Sequence, residues 1–247
     1  MGRLLQDEEP IALELIELIR SGDVGKLKML LTDNPGLSRV SIVTKRPSHK
    51  GVRSLLHIAT DWPGFIPNGP EVIRLLVHEG ADVNARFQGG HTETPLHWAA
   101  SNNDVPALDA LLDKGAELEA DGSVIDGGSA LGNAVAFGQW DAARRLVQRG
   151  AKMLLWHASA LGEMDTVRRL VEHEGIASQQ ALTQALWLAC HGGQREAAEY
   201  LREHGAELNW IGYDGLTALD AARRSDANEL ADWLASCGAK AAGEVKR

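Results

Sequence analysis

Only two cysteines, Cys190 and Cys237, occur in 247 residues. Two cannot build a disulfide framework, and the absence of any CxxC pair argues against a zinc site. Basic residues are also short: Lys+Arg is 25 against 34 Asp+Glu, a formal net charge of −9. Broad nucleic-acid binding runs on net positive charge and is not expected here. No apolar run approaches the roughly 20 residues that span a bilayer. The opening MGRLLQDEEP lacks the apolar core of a signal peptide. A cytoplasmic location without membrane contact is therefore expected. Phenylalanine (3) and tyrosine (2) are scarce, yet tryptophan numbers 7, an imbalance that points to particular positions. Hydrophobic residues at 44% are sufficient for a buried core, which excludes disorder as the main state.

What is present is a repeat. Gly80, Gly115, Gly150, Gly175, Gly205 and Gly238 are separated by 35, 35, 25, 30 and 33 residues. GADVNAR, GAELEAD and GAELNWI start at the first, second and fifth of these. Between them lie TPLHWAA at 94–100, SALGNAVAFG from Ser129 and TALDAA at 217–222. These phrases resemble the ankyrin repeat, whose period is about 33 residues and whose first helix opens on T-P-L-H-x-A. The resemblance covers nearly the whole chain and implies an all-α ankyrin-repeat solenoid of stacked helix–turn–helix units with β-hairpin fingers. About seven units are expected within one domain over 1–247. They divide into a cap unit at about 10–40, a long loop at 41–53, the remaining units at 54–238 and a tail at 239–247.

The residue pattern is consistent with this. A turn follows each first helix, at Asn103-Asp104, Gly138-Gln139, Gly162-Glu163 and Gly193-Gln194. The second helix then carries apolar residues at spacings of three and four, as in Val72, Ile73, Leu75 and Leu76, which places one apolar face on the neighbour. A single pair cannot bury that face alone, so stacking is obligatory. The resemblance assigns the TPLH histidine, here His97 and also His57, to hydrogen bonds that hold adjacent hairpins. Gly132, Trp156, Trp187 and Asp220 are read at that position in later units, with Trp156 and Trp187 expected to replace the bond by packing.

Three irregularities mark candidate functional regions. The linker Thr32–Arg53 holds a basic run, Lys45, Arg46, His49, Lys50 and Arg53, read as a solvated loop or an anion contact. Residues 61–70 form an insertion whose prolines and glycines forbid a continuous helix. Trp62, Phe65 and Ile66 on it either tuck onto the core or make a contact. The finger after Gly150 is missing and the unit after Gly175 is short, whereas residues 86–93 make a long polar finger. A gap flanked by elaborate loops is a place for a ligand.

On each first helix the exposed sites are expected one, four and five residues after the TPLH histidine. That column, with the finger residue His91, yields the binding candidates Asp61, Trp62, His91, Trp98, Asn102, Asn133, Phe137, His157 and His191. Aromatic anchors with a few polar groups suit a binding face, although the same aromatics could pack beneath the fingers. No nucleophile elbow, P-loop or H-E-x-x-H occurs, so catalytic residues stay unknown. Convergence of His57, His97, His157, His191 and Asp61 on one metal is improbable at the stack spacing, and neither metal nor cofactor is expected. The resemblance implies an interaction module for a protein or peptide partner, and a monomer is expected. The alternative is a small-molecule binder or enzyme with a closed aromatic pocket beneath the 86–93 finger, using Asp61 or Glu93 with His91, His157 or His191 as an acid–base pair.

Overall fold

The computed structural model of the chain describes residues 3–44, 50–172 and 178–245. Among these residues, fourteen α-helices form seven consecutive pairs, one pair to a repeat. The chain divides into two compact units, Met1–Ala151 and Lys152–Arg247, here the N-terminal and C-terminal blocks. The N-terminal block holds α1 (Pro10–Ser21) with α2 (Val24–Asp33), and α3 (Leu55–Ala59) with α4 (Gly69–His78). It continues with α5 (Pro95–Ser101) and α6 (Val105–Asp113), then α7 (Ala130–Ala136) and α8 (Trp140–Gln148). The C-terminal block holds α9 (Leu155–Leu161) with α10 (Met164–Glu172), α11 (Gln179–His191) with α12 (Arg195–Glu203), and α13 (Ala218–Arg224) with α14 (Asn228–Ser236).

Each pair forms for local reasons. In the third repeat Thr94 N-caps α5 in extended conformation and Pro95 supplies a preset helical φ at N1. Asn103 then takes φ 56° in the turn, and Asp104 caps α6 by accepting from Ala107 N–H at 3.1 Å. The face of α6 that this orients buries Ala107, Leu108, Ala110 and Leu111. Glycines at the repeat period end the second helices in the left-handed conformation, as at Gly80 (φ 100°) and Gly205 (φ 99°). Short first helices rich in alanine let neighbouring pairs approach, so Ala99, Ala100, Ala134 and Ala160 are fully buried.

The segment expected as a loop at 41–53 instead carries two strands. β1 (Leu4–Gln6) pairs in parallel with β2 (Ser41–Thr44), and β2 pairs antiparallel with β3 (Gly51–Ser54). Gln88, on the 86–93 finger, bridges to Val52 and extends the sheet edge. Alternation explains the strands: Ile42 and Thr44 face inward between the more exposed Ser41 and Val43. The basic run divides accordingly. Lys45, Arg46 and His49 lie outside the described residues, Lys50 is exposed, and Arg53 is buried rather than solvated. Its guanidinium donates to Asp61 Oδ2 at 2.8 Å and to Thr44 Oγ1 at 3.3 Å.

Candidate functional site

The repeat histidines come first, because they decide which side chains remain for a partner. His57 Nδ1 accepts from Ser54 N–H at 3.3 Å and His97 Nδ1 from Thr94 N–H at 3.1 Å. With Nδ1 accepting, the proton sits on Nε2, which donates to the carbonyl just before the next first helix. His57 reaches Glu93 O at 3.0 Å and His97 reaches Gly128 O at 3.1 Å. Burial lowers both pKa values, that of His57 to about 4.

In the fifth repeat this position belongs to His157, not Trp156. His157 is the third residue of α9, and its Nδ1 accepts from Leu154 N–H at 3.0 Å. It is therefore buried, 3% exposed, and does not line an open face. Asn133 is likewise buried: its amide donates to Glu93 Oε1 at 2.7 Å and Ser101 Oγ at 3.0 Å, and its carbonyl accepts from Ser123 Oγ. At the same position, one past the repeat histidine or its replacement, Ile58 and Leu188 are also buried, whereas Trp98 is half-buried.

Trp187 preserves the repeat bond with different chemistry. Its indole N–H donates to Leu216 O at 3.0 Å, the carbonyl immediately before the next first helix, so the bond is kept where packing alone was expected. Asp220 inverts the polarity. Its Oδ2 accepts from Thr217 N–H and from Ala242 N–H, at 3.1 and 2.8 Å.

Beneath the 86–93 finger the space is filled. Phe87 is buried and stacks on His91 with ring centroids 4.5 Å apart, and its ring lies 5.6 Å from Trp98 and 6.3 Å from His57. Trp98 meets His57 edge-on at 4.8 Å. Among the sequence candidates, His91 Nδ1 is brought to Glu93 Oε2, at 3.2 Å. Glu93 is held further by Val124 N–H (3.0 Å) and Asn133, which makes it a buried cross-link between two fingers.

The exposed apolar side chains lie elsewhere. Trp62 is 79% exposed, Phe65 60% and Phe137 47%, all in the N-terminal block. Asn102 holds Thr60 O at 2.9 Å, and Asp61 takes Arg53 and Arg20 on one oxygen. A cavity of about 280 Å³ adjoins this loop, lined by Leu13, Ile16, Arg20, Arg53 and Asp61 among others. In the C-terminal block His191 lies beside Trp187, with ring centroids 5.6 Å apart, and its carbonyl accepts from Ser225 Oγ at 2.7 Å. Arg224 sits 5.5 Å over the Trp187 ring and pairs with Asp214 at 2.6 Å. Sequence reading missed Phe87 and Asp104. Each meets a partner some 30 to 40 positions away, His57 for Phe87 and Phe65 for Asp104, which no local pattern announces.

The family pattern for ankyrin repeats (3 copies) matches residues 56–155 and 154–242. The chain belongs to the ankyrin-repeat family. Human ankyrin repeat and SOCS box protein 6 is 42% identical over 66 residues, which is 26% of this chain and 14% of that protein. The Pongo abelii protein of the same name is 41% identical over 66 residues, with the same coverage. The match thus spans about a seventh of those relatives' length. The crystal structure of the human ASB11 ankyrin repeat domain is similar in fold, with a TM-score of 0.54 and 23% identity. That similarity covers 92% of this chain and 98% of the other. Ankyrin repeats generally mediate protein–protein interaction. Among the described residues no helix is long and apolar enough to cross a membrane.

Proposed function

We propose that this chain is an interaction module that binds a protein or peptide partner. In this reading the contact in the N-terminal block runs through Trp62, Phe65, Asn102 and Phe137, with Asp61 and Trp98 behind them. The observation that carries it is the exposure of Trp62 and Phe65 on a loop that is hydrogen-bonded to both flanking repeats, through Phe65 N–H on one side and the Asn68 side chain on the other. Burying a large apolar side chain is worth about 1.5–3 kcal/mol on transfer alone, so a partner that covers these two neighbouring side chains gains that energy on contact. Of the histidine candidates, His157 is a core group like His57 and His97, and His91 is part of a finger cross-link. His191 and the exposed Tyr213 beside Trp187 offer a second contact surface on the C-terminal block.

The test compares wild type with Trp62→Ala and Phe65→Ala in quantitative capture from the host, alongside urea unfolding of each protein. The expected result is loss of the same captured polypeptide in both variants with unfolding midpoints close to wild type. Equal capture by all three proteins would reject the assignment of these residues.

A further inference from the structure

The loop between α3 and α4 is tied from both sides. Asn68 donates to Gly22 O at 3.1 Å, and at Gly22 a Cβ would collide with Pro67 O, so the first repeat accepts the loop only because glycine stands there. From the third repeat, Asn102 takes Thr60 O. Asp104 does more. It is 3% exposed, and its two carboxylate oxygens serve different elements: Oδ1 caps α6 at Ala107, while Oδ2 accepts from Phe65 N–H at 2.6 Å. Phe65 sits at φ 53°, a left-handed conformation that disfavours a bulky residue. Gly64, immediately before it, is buried against Asn102 and Asp104. A charge-assisted bond is what opposes relaxation of Phe65 out of that conformation.

On the partner-binding reading given above, we infer that Asp104 is a positioning residue of the contact face. It fixes the 61–68 loop so that Trp62 and Phe65 are presented as a preordered apolar pair. It touches no partner itself. Its effect is to remove the ordering cost that a free loop would incur on association. The α6 cap alone would need only one of its oxygens.

The experiment measures amide exchange and backbone order parameters by NMR on the free protein, wild type and Asp104→Asn. The Asn side chain keeps one acceptor oxygen for Ala107 but presents a donor to Phe65 N–H. In wild type, Phe65 N–H is expected to be protected and residues 62–65 to have order parameters near the rigid-backbone value of about 0.85. In Asp104→Asn, Phe65 exchange should rise about tenfold or more and the loop values fall below about 0.6, with Ala107 still protected. An Asp104 that only caps α6 would leave Phe65 and the loop unmoved in the variant, which overturns the inference. So would a wild-type loop that is already unprotected and mobile, a result that needs no variant. Both readouts are taken without a partner, so failure of Trp62→Ala to affect capture would reject the contact assignment and not the loop's ordering.

Discussion

In the N-terminal block, His57 and His97 use both ring nitrogens: one receives a backbone N–H of its own repeat, the other donates to a carbonyl of the next. In the C-terminal block His157 has the first bond but not the second, and its Nε2 is buried with no hydrogen-bond partner among the described residues. The reason lies in the neighbouring repeat. There α11 starts at Gln179, eight residues before Trp187, and runs through Thr183, the residue equivalent to Glu93 and Gly128. A carbonyl inside a helix points along the helix axis toward the N–H four residues on, so it is not turned sideways to the histidine as a loop carbonyl is. Where the finger is replaced by an extra helical turn, the inter-repeat bond is lost. One repeat later the finger returns, and Trp187 makes the bond to Leu216 O. The repeat histidine is thus worth its burial only when a non-helical carbonyl faces it.

The largest expected effect is on acid stability, which tests both blocks at once. His57 and His157 have pKa values of about 4 in the fold against an ordinary histidine value of 6.5, chiefly through burial. The unfolded chain takes up these protons first, so the penalty is absent above pH 6.5, grows as pH falls and is complete near pH 4. Each residue should remove about 3 kcal/mol of stability by pH 4. Urea unfolding from pH 7 to 4 measures it, and His157→Leu should flatten the profile by that residue's share. Second, His97→Leu leaves Thr94 N–H without its acceptor and takes one of two donors from Gly128 O, and should cost about 2 kcal/mol at pH 7, read as a lower urea midpoint. Third, Trp187→Phe keeps most of the packing but deletes the donor to Leu216 O. It should cost about 1 kcal/mol, with faster exchange confined to the C-terminal block. Smallest is His157→Leu at pH 7. Because one nitrogen is already orphaned and Leu154 N–H can turn to water, the change should stay within about 0.5 kcal/mol of zero. A cost for His157→Leu equal to that of His97→Leu would erase the distinction between the two blocks.

Much of the repeat was legible because it depends on short-range chemistry. The glycine period, the Thr94-Pro95 helix start and the apolar spacing of Val72, Ile73 and Leu76 are local statements about φ, capping and one buried face. The proposed contact face was only partly legible. Trp62 was identified as either tucked or exposed, and the choice depended on Asp104 reaching in from the third repeat and on Gly22 of the first repeat receiving Asn68. The column of exposed sites failed at His157 because a fixed offset assumes the register read from the sequence, whereas the fifth repeat counts from Leu154 and places His157, not Trp156, at the buried position. It failed at Asn133, whose helix is in the ordinary register, because Glu93, Ser101 and Ser123 converge on its amide.

Composition and periodicity by themselves determined that this chain stacks helix pairs: a unit of about 33 residues with one apolar face has no other way to bury it. They also determined the charge balance and the absence of a catalytic motif. Tertiary structure alone decided three things. The alternation at 41–44 was realised as a strand because β1, from the start of the chain, supplies an edge for it, and 51–54 then pairs on its other side. Phe87 rather than solvent occupies the space beneath its finger, because His57 and Trp98 on two successive repeats form the cavity wall that receives it. Identical histidines became satisfied or stranded according to whether the next repeat offered a loop carbonyl or a helical one. Each outcome depends on groups distant in sequence, and no local pattern encodes which of them will meet.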